Sequence, residues 1–260
     1  MQIRYILADI DDTIISTGGS TPPSVINGLP KLSEIIKQAN LGQLPRFGFC
    51  TGREASYALG ISRFMEVPDS WSITESGLVL FNPKTQERRY HPAFTLEMRE
   101  VFEEINRKRI PRLAQKYPFL HPYVGKEVNI AIEVRDGTAS LADCERIVKE
   151  SFRDIIEYLE INVSSIAVDI SPKGIDKGTG VVRLAEITGI PTSEMLLIDD
   201  SMGGKSAADR VGYLACPDKS KPDFMELVRS RGKENGHESP LELTEGVVES
   251  ISYFTGVKIS

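Results

Sequence analysis

Cysteine is scarce: Cys50, Cys144 and Cys216 are the only three in 260 residues. An odd number at wide spacing excludes the dense disulfide framework of small secreted domains and suits reduced thiols in a reducing compartment. Cys50 stands just before a loop of interest, but a thiol nucleophile needs a histidine partner that no local pattern supplies. A small buried strand residue is the better reading. A basic excess is also lacking. Against 31 Lys and Arg stand 37 Asp and Glu, a formal charge of -6, so nucleic acid is not expected as a partner. Nowhere do about 18 apolar residues run together, and the first residues lack a charged stretch followed by an apolar run and a cleavage site, so no membrane association and a cytoplasmic setting are expected. No segment of low complexity or fixed-period repeat is present. His91, His121 and His237 lack metal-ligand spacing, which excludes a histidine-based zinc site of the usual kind.

What is present is ordinary globular usage, 40% hydrophobic and 26% charged, over a length that can bury a large core. Short apolar runs alternate with helical patterns, the signature of parallel strands joined by crossover helices. IRYILA at 3–8 reads as the first strand and RFGFC at 46–50 as the second. Between them, 24–39 carries Val25, Leu29, Leu32, Ile35 and Ile36 at helical spacing, with Pro30 a disturbance in its first turns. A helix over 54–65 and a strand, Gly-containing turn and strand over 71–81 follow.

After Asn82-Pro83 the style changes. A long helix at 96–116, a strand at 128–134, a helix at 141–158 and a strand at 165–170 read as a separate α+β unit. From Lys177 the first style resumes, with a helix to 188, strand MLLI at 195–198, a short helical segment near 205–210 and strand GYLAC at 212–216. Two amphipathic stretches, 222–230 and 243–254, close the chain around a polar loop, SRGKENGHESP. The expected class is α/β, a doubly wound, mostly parallel, Rossmann-like sheet over 1–82 and 171–260, with an inserted α+β domain over 83–170.

In open parallel sheets ligands collect at the carboxyl ends of the strands. There this chain places Asp9, Asp11, Asp12 and Thr13, then Thr51, Gly52 and Arg53, then Asp199, Asp200 and Ser201. Side chains two apart on an extended segment share a side, so Asp9 and Asp11 are expected to face one crevice and Asp12 to point elsewhere. Two carboxylates about 4 Å apart repel by about 4 kcal/mol at an effective dielectric of about 20. A hard divalent cation relieves such crowding, and magnesium also accepts waters and a phosphate in its shell.

This constellation resembles the haloacid dehalogenase-like (HAD) superfamily of aspartate-nucleophile phosphohydrolases, four of whose motifs match in chain order. Asp9-Ile-Asp11-Asp12-Thr13 matches the first, FCTGRE with Thr51 the second, SPKGIDKGTGV with Lys177 the third, and LLIDDS with Asp199 and Asp200 the fourth. The resemblance implies that Asp9 attacks phosphorus to form an aspartyl phosphate, that Asp11 works as general acid and base, and that Thr51, Gly52 and Lys177 bind the phosphoryl oxygens. It also implies Mg2+ held by Asp9, the Asp11 backbone carbonyl and Asp200 or Asp199. Lys173, four residues before Lys177, is an alternative phosphate ligand. Asp12 stands where many relatives carry glycine, and Gly203 and Gly204 stand where the common fourth motif has a second acid.

The insert resembles the family's type-2B cap, a subgroup that includes Cof-type sugar phosphatases, sucrose-phosphate phosphatases and archaeal phosphoglycolate phosphatases. The implied function is a phosphoric monoester hydrolase acting on a small phosphorylated metabolite, a sugar phosphate or a phosphoglycolate-like acid. A phosphomutase or phosphotransferase of the same superfamily is the alternative, as is a non-catalytic phosphoryl or metabolite sensor. GGKSAAD at 203–209 lacks the first glycine of a nucleotide-binding P-loop, since position 199 is aspartate. RKRIPR at 107–112 reads as a solvated helix face.

Overall fold

The computed structural model describes residues 3–18, 20–135, 137, 139–164 and 167–257. Its strands are β1 (Tyr5–Ala8), β2 (Arg46–Phe49), β3 (Ser72–Thr74), β4 (Val79–Phe81), β5 (Arg88–Tyr90), β6 (Leu120–Pro122), β7 (Ile130–Val134), β8 (Leu159–Val163), β9 (Ala167–Pro172), β10 (Met195–Ile198), β11 (Tyr213–Asp218) and β12 (Gly236–Glu242). Its helices are α1 (Pro23–Asn40), α2 (Ala55–Ser62), α3 (Leu96–Glu104), α4 (Ile110–Lys116), α5 (Leu141–Ser151), α6 (Lys177–Thr188), α7 (Lys205–Ala208), α8 (Pro222–Ser230) and α9 (Leu243–Thr255). Among the described residues no helix is long and apolar enough to cross a membrane.

Five parallel strands in the order β12-β11-β10-β1-β2 form the main sheet. β1 and β10 are buried at every position, because both faces of the sheet are covered and the strands must be apolar throughout. On one face Ile6, Ala8, Phe47, Leu196 and Ile198 pack with Leu32 and Ile35 of α1 and Val247 and Ile251 of α9. On the other Tyr5, Leu7, Leu197 and Leu214 pack with Val181 and Leu184 of α6 and Phe224 of α8. This is the doubly wound α/β class expected from the alternation of patterns. Strand order reverses between β1 and β10, the point where such sheets open a crevice.

The chain divides into two compact units, Met1–His91 with Asp176–Ser260, and Pro92–Ile175. Both boundaries fall later than the sequence pattern placed them. At the first, β5 pairs antiparallel with β4 and keeps the chain through His91 in the first unit. The second unit carries a four-stranded antiparallel sheet, β6-β7-β9-β8. Its long helix is interrupted: α3 and α4 are joined by a π-helical turn, Ile105–Arg109, in which the Ile110 N–H reaches the Ile105 carbonyl. Pro111, which has no N–H to continue an i→i-4 ladder, sits in the first turn of α4 and accounts for the wider turn. Two positions of the expected strand at 165–170, Ser165 and Ile166, lie outside the described residues.

The helix expected over 24–39 is present as α1, which runs through Pro30 to Asn40 because its Val25, Gly28, Leu32, Ile35, Ile36 and Ala39 face is buried. Two other expectations change. β5, β6 and β8 are short strands with no clear pattern. The polar stretch at 230–240 is not all loop, because β12 pairs parallel with β11. Its charges and Pro240 suit an edge strand with one neighbour, so the pattern that marks a central strand is absent.

Candidate active site

β1 and β10 run parallel with Ala8 opposite Ile198, so the next rung sets Asp9 beside Asp199. Asp9 donates its N–H to the Ile198 carbonyl at 2.9 Å, and Asp199 its own to Ala215 at 3.2 Å, which anchors both acids at the sheet's carboxyl edge. Lys177 enters from the first turn of α6. That helix start is fixed by a capping box, with the Thr179 N–H donating to Asp176 Oδ1 at 2.8 Å and the Asp176 N–H to Thr179 Oγ1 at 3.0 Å. The left-handed turn Glu75–Gly77 packs beneath it, and at Gly77, φ 103°, any Cβ would collide with the Asp176 carbonyl.

Lys177 Nζ lies 2.9 Å from Asp9 Oδ2 and 3.0 Å from Asp199 Oδ2. The second Asp9 oxygen accepts the Ile10 N–H at 2.8 Å. Asp199 Oδ1 accepts the N–H groups of Asp200 at 2.9 Å and Ser201 at 3.2 Å, and the residue is 0% exposed. Asp200 is 8% exposed and accepts a long hydrogen bond, 3.5 Å, from the buried Thr13 hydroxyl. The two neighbours left open by sequence thus differ in their partners: Asp199 engages its lysine and two amides, whereas Asp200 accepts the long bond from Thr13. Lys173 is exposed and lies in the second unit.

Among the described residues, Asp9, Asp199 and Asp200 are the group of acids whose ligand oxygens lie within 4.8 Å of one another. Three hard oxygen donors facing a single ammonium fit a divalent cation of the magnesium or calcium type. Burial, opposed by Lys177 and reinforced by the charge of Asp199, pushes the Asp9 carboxyl up to about 6. Burial and the charge of Asp9 push Asp200 up to about 6 as well. Burial works against the Lys177 ammonium, but Asp199 and Asp9 outweigh it and hold the lysine charged well beyond its ordinary range. Burial pushes the Cys50 thiol up to about 12, so it stays neutral, a buried residue at the end of β2.

Thr51 and Gly52 follow β2 in a loop tied to the turn after β3. The Thr51 N–H donates to Ile73 at 2.9 Å, the Ser76 N–H to Thr51 at 3.1 Å, and the Arg53 N–H to Thr51 Oγ1 at 3.1 Å. Asp11 does not behave as an extended-strand neighbour of Asp9. The chain leaves the sheet after Ala8 and turns, with the Ile14 and Ile15 N–H groups both on the Ile10 carbonyl at 2.9 and 3.0 Å. The Asp11 carboxylate goes to Arg53, which sequence placed at this strand end without a partner; Tyr57, one turn along, carried no signal.

Asp12, unexplained by the motif, occupies the left-handed region at φ 54°. Its carboxylate accepts the Thr17 N–H at 2.9 Å and the Thr17 hydroxyl at 2.8 and 2.9 Å. Glycine, aspartate and asparagine are the residues that take this conformation readily, so Asp12 and the family's glycine answer one backbone demand. Asp12→Gly is expected to shift the thermal midpoint little. Asp12→Val, a β-branched residue at positive φ, is expected to cost about 2 kcal/mol, a fall of roughly 4–8 °C in thermal unfolding.

No family model matches the chain. It is 26% identical over 200 residues, 75% of this chain and 71% of the relative, to phosphoglycolate phosphatase 2 of Saccharolobus solfataricus. The sucrose-phosphatase of Synechocystis, solved with sucrose and phosphate, superposes with a TM-score of 0.65 at 16% identity over 98% of both chains. A haloacid dehalogenase-like hydrolase from Bacteroides thetaiotaomicron superposes with a TM-score of 0.70 at 14% identity, over 96% of this chain and 99% of that one. A parallel core with an inserted α+β unit, matched over nearly its whole length, gives this chain the fold of the haloacid dehalogenase-like superfamily.

Proposed function

We propose that the protein is a magnesium-dependent phosphohydrolase that releases phosphate from a small phosphorylated metabolite, a sugar phosphate or a phosphoglycolate-like acid, through an aspartyl phosphate on Asp9. The carrying observation is the cluster of Asp9, Asp199 and Asp200 at the ends of two adjacent parallel strands, with Lys177 bridging the first two. The relatives' names, a phosphoglycolate phosphatase and a sucrose-phosphatase, support a phosphate monoester as substrate.

Asp9, held in plane by the Ile10 amide and Lys177, attacks phosphorus, and covalent transfer divides one hard displacement into two easier ones. Lys177 and the donors of the Thr51-Gly52 loop stabilise the charge on the phosphoryl oxygens. Asp11 gives a proton to the departing oxygen and later takes one from the attacking water. Asp9, Asp200 and the Asp11 backbone carbonyl would hold the metal, while Asp199 anchors Lys177. Bound magnesium supplies neutralisation of the clustered carboxylate and phosphoryl charge.

A phosphate-release screen of the purified protein with magnesium across phosphorylated metabolites tests the reading; release from none of them contradicts it. A pH dependence follows from the raised carboxyls. Both acids sit at about 6 in the fold against an ordinary 3.8, so the metal-free fold binds protons more tightly than the unfolded chain. Its stability therefore falls as pH rises through that window. Magnesium competes with those protons, so the rise in thermal midpoint on adding magnesium is expected to be small at about pH 5 and large at about pH 7.5. Equal shifts at both pH values would count against a site built on Asp9 and Asp200.

A further inference from the structure

Resting on the phosphatase reading, we propose that Arg53 is a positioning residue that orients the Asp11 carboxylate for proton transfer to the leaving group, with Tyr57 as its support. Arg53 Nε lies 2.7 Å from Asp11 Oδ2 and Nη2 3.1 Å from Oδ1, a two-pronged contact between side chains each about a quarter exposed. The guanidinium carbon stands 5.0 Å from the centre of the Tyr57 ring, whose hydroxyl reaches Asp11 Oδ1 at 3.5 Å. Arg53 itself is fixed: its N–H donates to Thr51 Oγ1 at 3.1 Å and its carbonyl accepts the Glu75 N–H at 2.8 Å. Asp11, by contrast, lies past the end of β1 in a turn, outside the named strands and bridged only to Ile15 among the described residues.

A guanidinium fork fixes the plane of a carboxylate as well as its distance; an ammonium fixes only the distance. In the first step the bond from Asp9 to phosphorus forms as the bond from phosphorus to the ester oxygen breaks, and the proton of Asp11 passes to that oxygen. Asp11 is left as a carboxylate facing a guanidinium, the pairing seen here. Orientation matters most where the departing oxygen is a poor leaving group.

The test compares kcat/KM, which covers the steps through alcohol departure, for an alkyl phosphate identified in the screen and for p-nitrophenyl phosphate, whose phenolate departs with little need of a proton. Arg53→Lys is expected to lower the alkyl value about 100-fold and the aryl value no more than about 5-fold, with Arg53→Gln at least as selective. In an Asp11→Asn background, Arg53→Lys is expected to change the alkyl value less than about 2-fold, because both changes remove one function. An equal fall on both esters in folded Arg53→Lys or Arg53→Gln protein, or a full effect retained in the Asp11→Asn background, would overturn the proposal. Undiminished turnover by Asp9→Asn would instead overturn the phosphatase reading beneath it.

Discussion

Asp9→Asn is expected to lower phosphate release by a factor on the order of 10,000 or more while leaving a folded protein. The amide keeps the size of the carboxylate and can still accept the Ile10 N–H, so the 2.8 Å contact that seats the side chain survives. What it loses is the anionic oxygen proposed to bond to phosphorus. It also removes one of three carboxylates from a cluster that strains without a cation, so the metal-free variant is expected to be at least as stable as the parent above pH 6. A variant that is inactive but no less stable separates a nucleophile from a structural acid. Phosphate release and thermal unfolding on the same preparation read both quantities.

Lys177→Met is expected to damage stability and activity together. Its ammonium is the shared partner of Asp9 and Asp199, both buried, and Asp199 has no exposure at all. Removing one partner of a buried pair leaves an uncompensated charge and costs about 3–5 kcal/mol, a fall in thermal midpoint of roughly 10 °C for a chain of this size. The sign against pH is fixed by the carboxyls. Burial holds Asp9 and Asp200 above their ordinary range, and without the lysine they rise further. Protonation then relieves the variant at low pH, so its deficit is expected to be greatest near pH 8 and to shrink toward pH 5. Activity falls about 100- to 1,000-fold as well, the usual effect of losing one donor to developing oxyanion charge. A uniform deficit across pH would mean that Lys177 contributes by packing rather than charge.

The order of chemistry-bearing residues was legible because each lies immediately past an apolar strand, and parallel strands deliver their carboxyl ends to one edge. Asp9, Thr51, Asp199 and Asp200 needed nothing more than that rule to be placed at one edge, whereas Lys177 was legible only through the family's third motif, with Lys173 left as an alternative. What sequence could not supply were dihedral angles and partners distant in the chain. The alternation rule does not extend to Asp11, because the strand stops at Ala8, and its partner Arg53 is distant in the chain. Asp12 acquired a reason only when its positive φ and its clasp on Thr17 were both visible. Asp199 and Asp200 are chemically identical in sequence, and their partners separate them: Lys177 and two amides for Asp199, the Thr13 hydroxyl for Asp200. β12 was hidden because an edge strand needs no apolar face on its outer side, and its register with β11 depends on the whole sheet.

The central claim is that phosphate leaves through a covalent bond to Asp9. It is tested most directly by mixing the protein with magnesium and a turned-over ester, quenching in acid within one turnover, and mapping mass by peptide. The expected result is one added phosphoryl group on the peptide that contains Asp9, absent from Asp9→Asn. Phosphate release with no phosphoryl on that peptide, and with Asp9→Asn as active as the parent, would contradict the account.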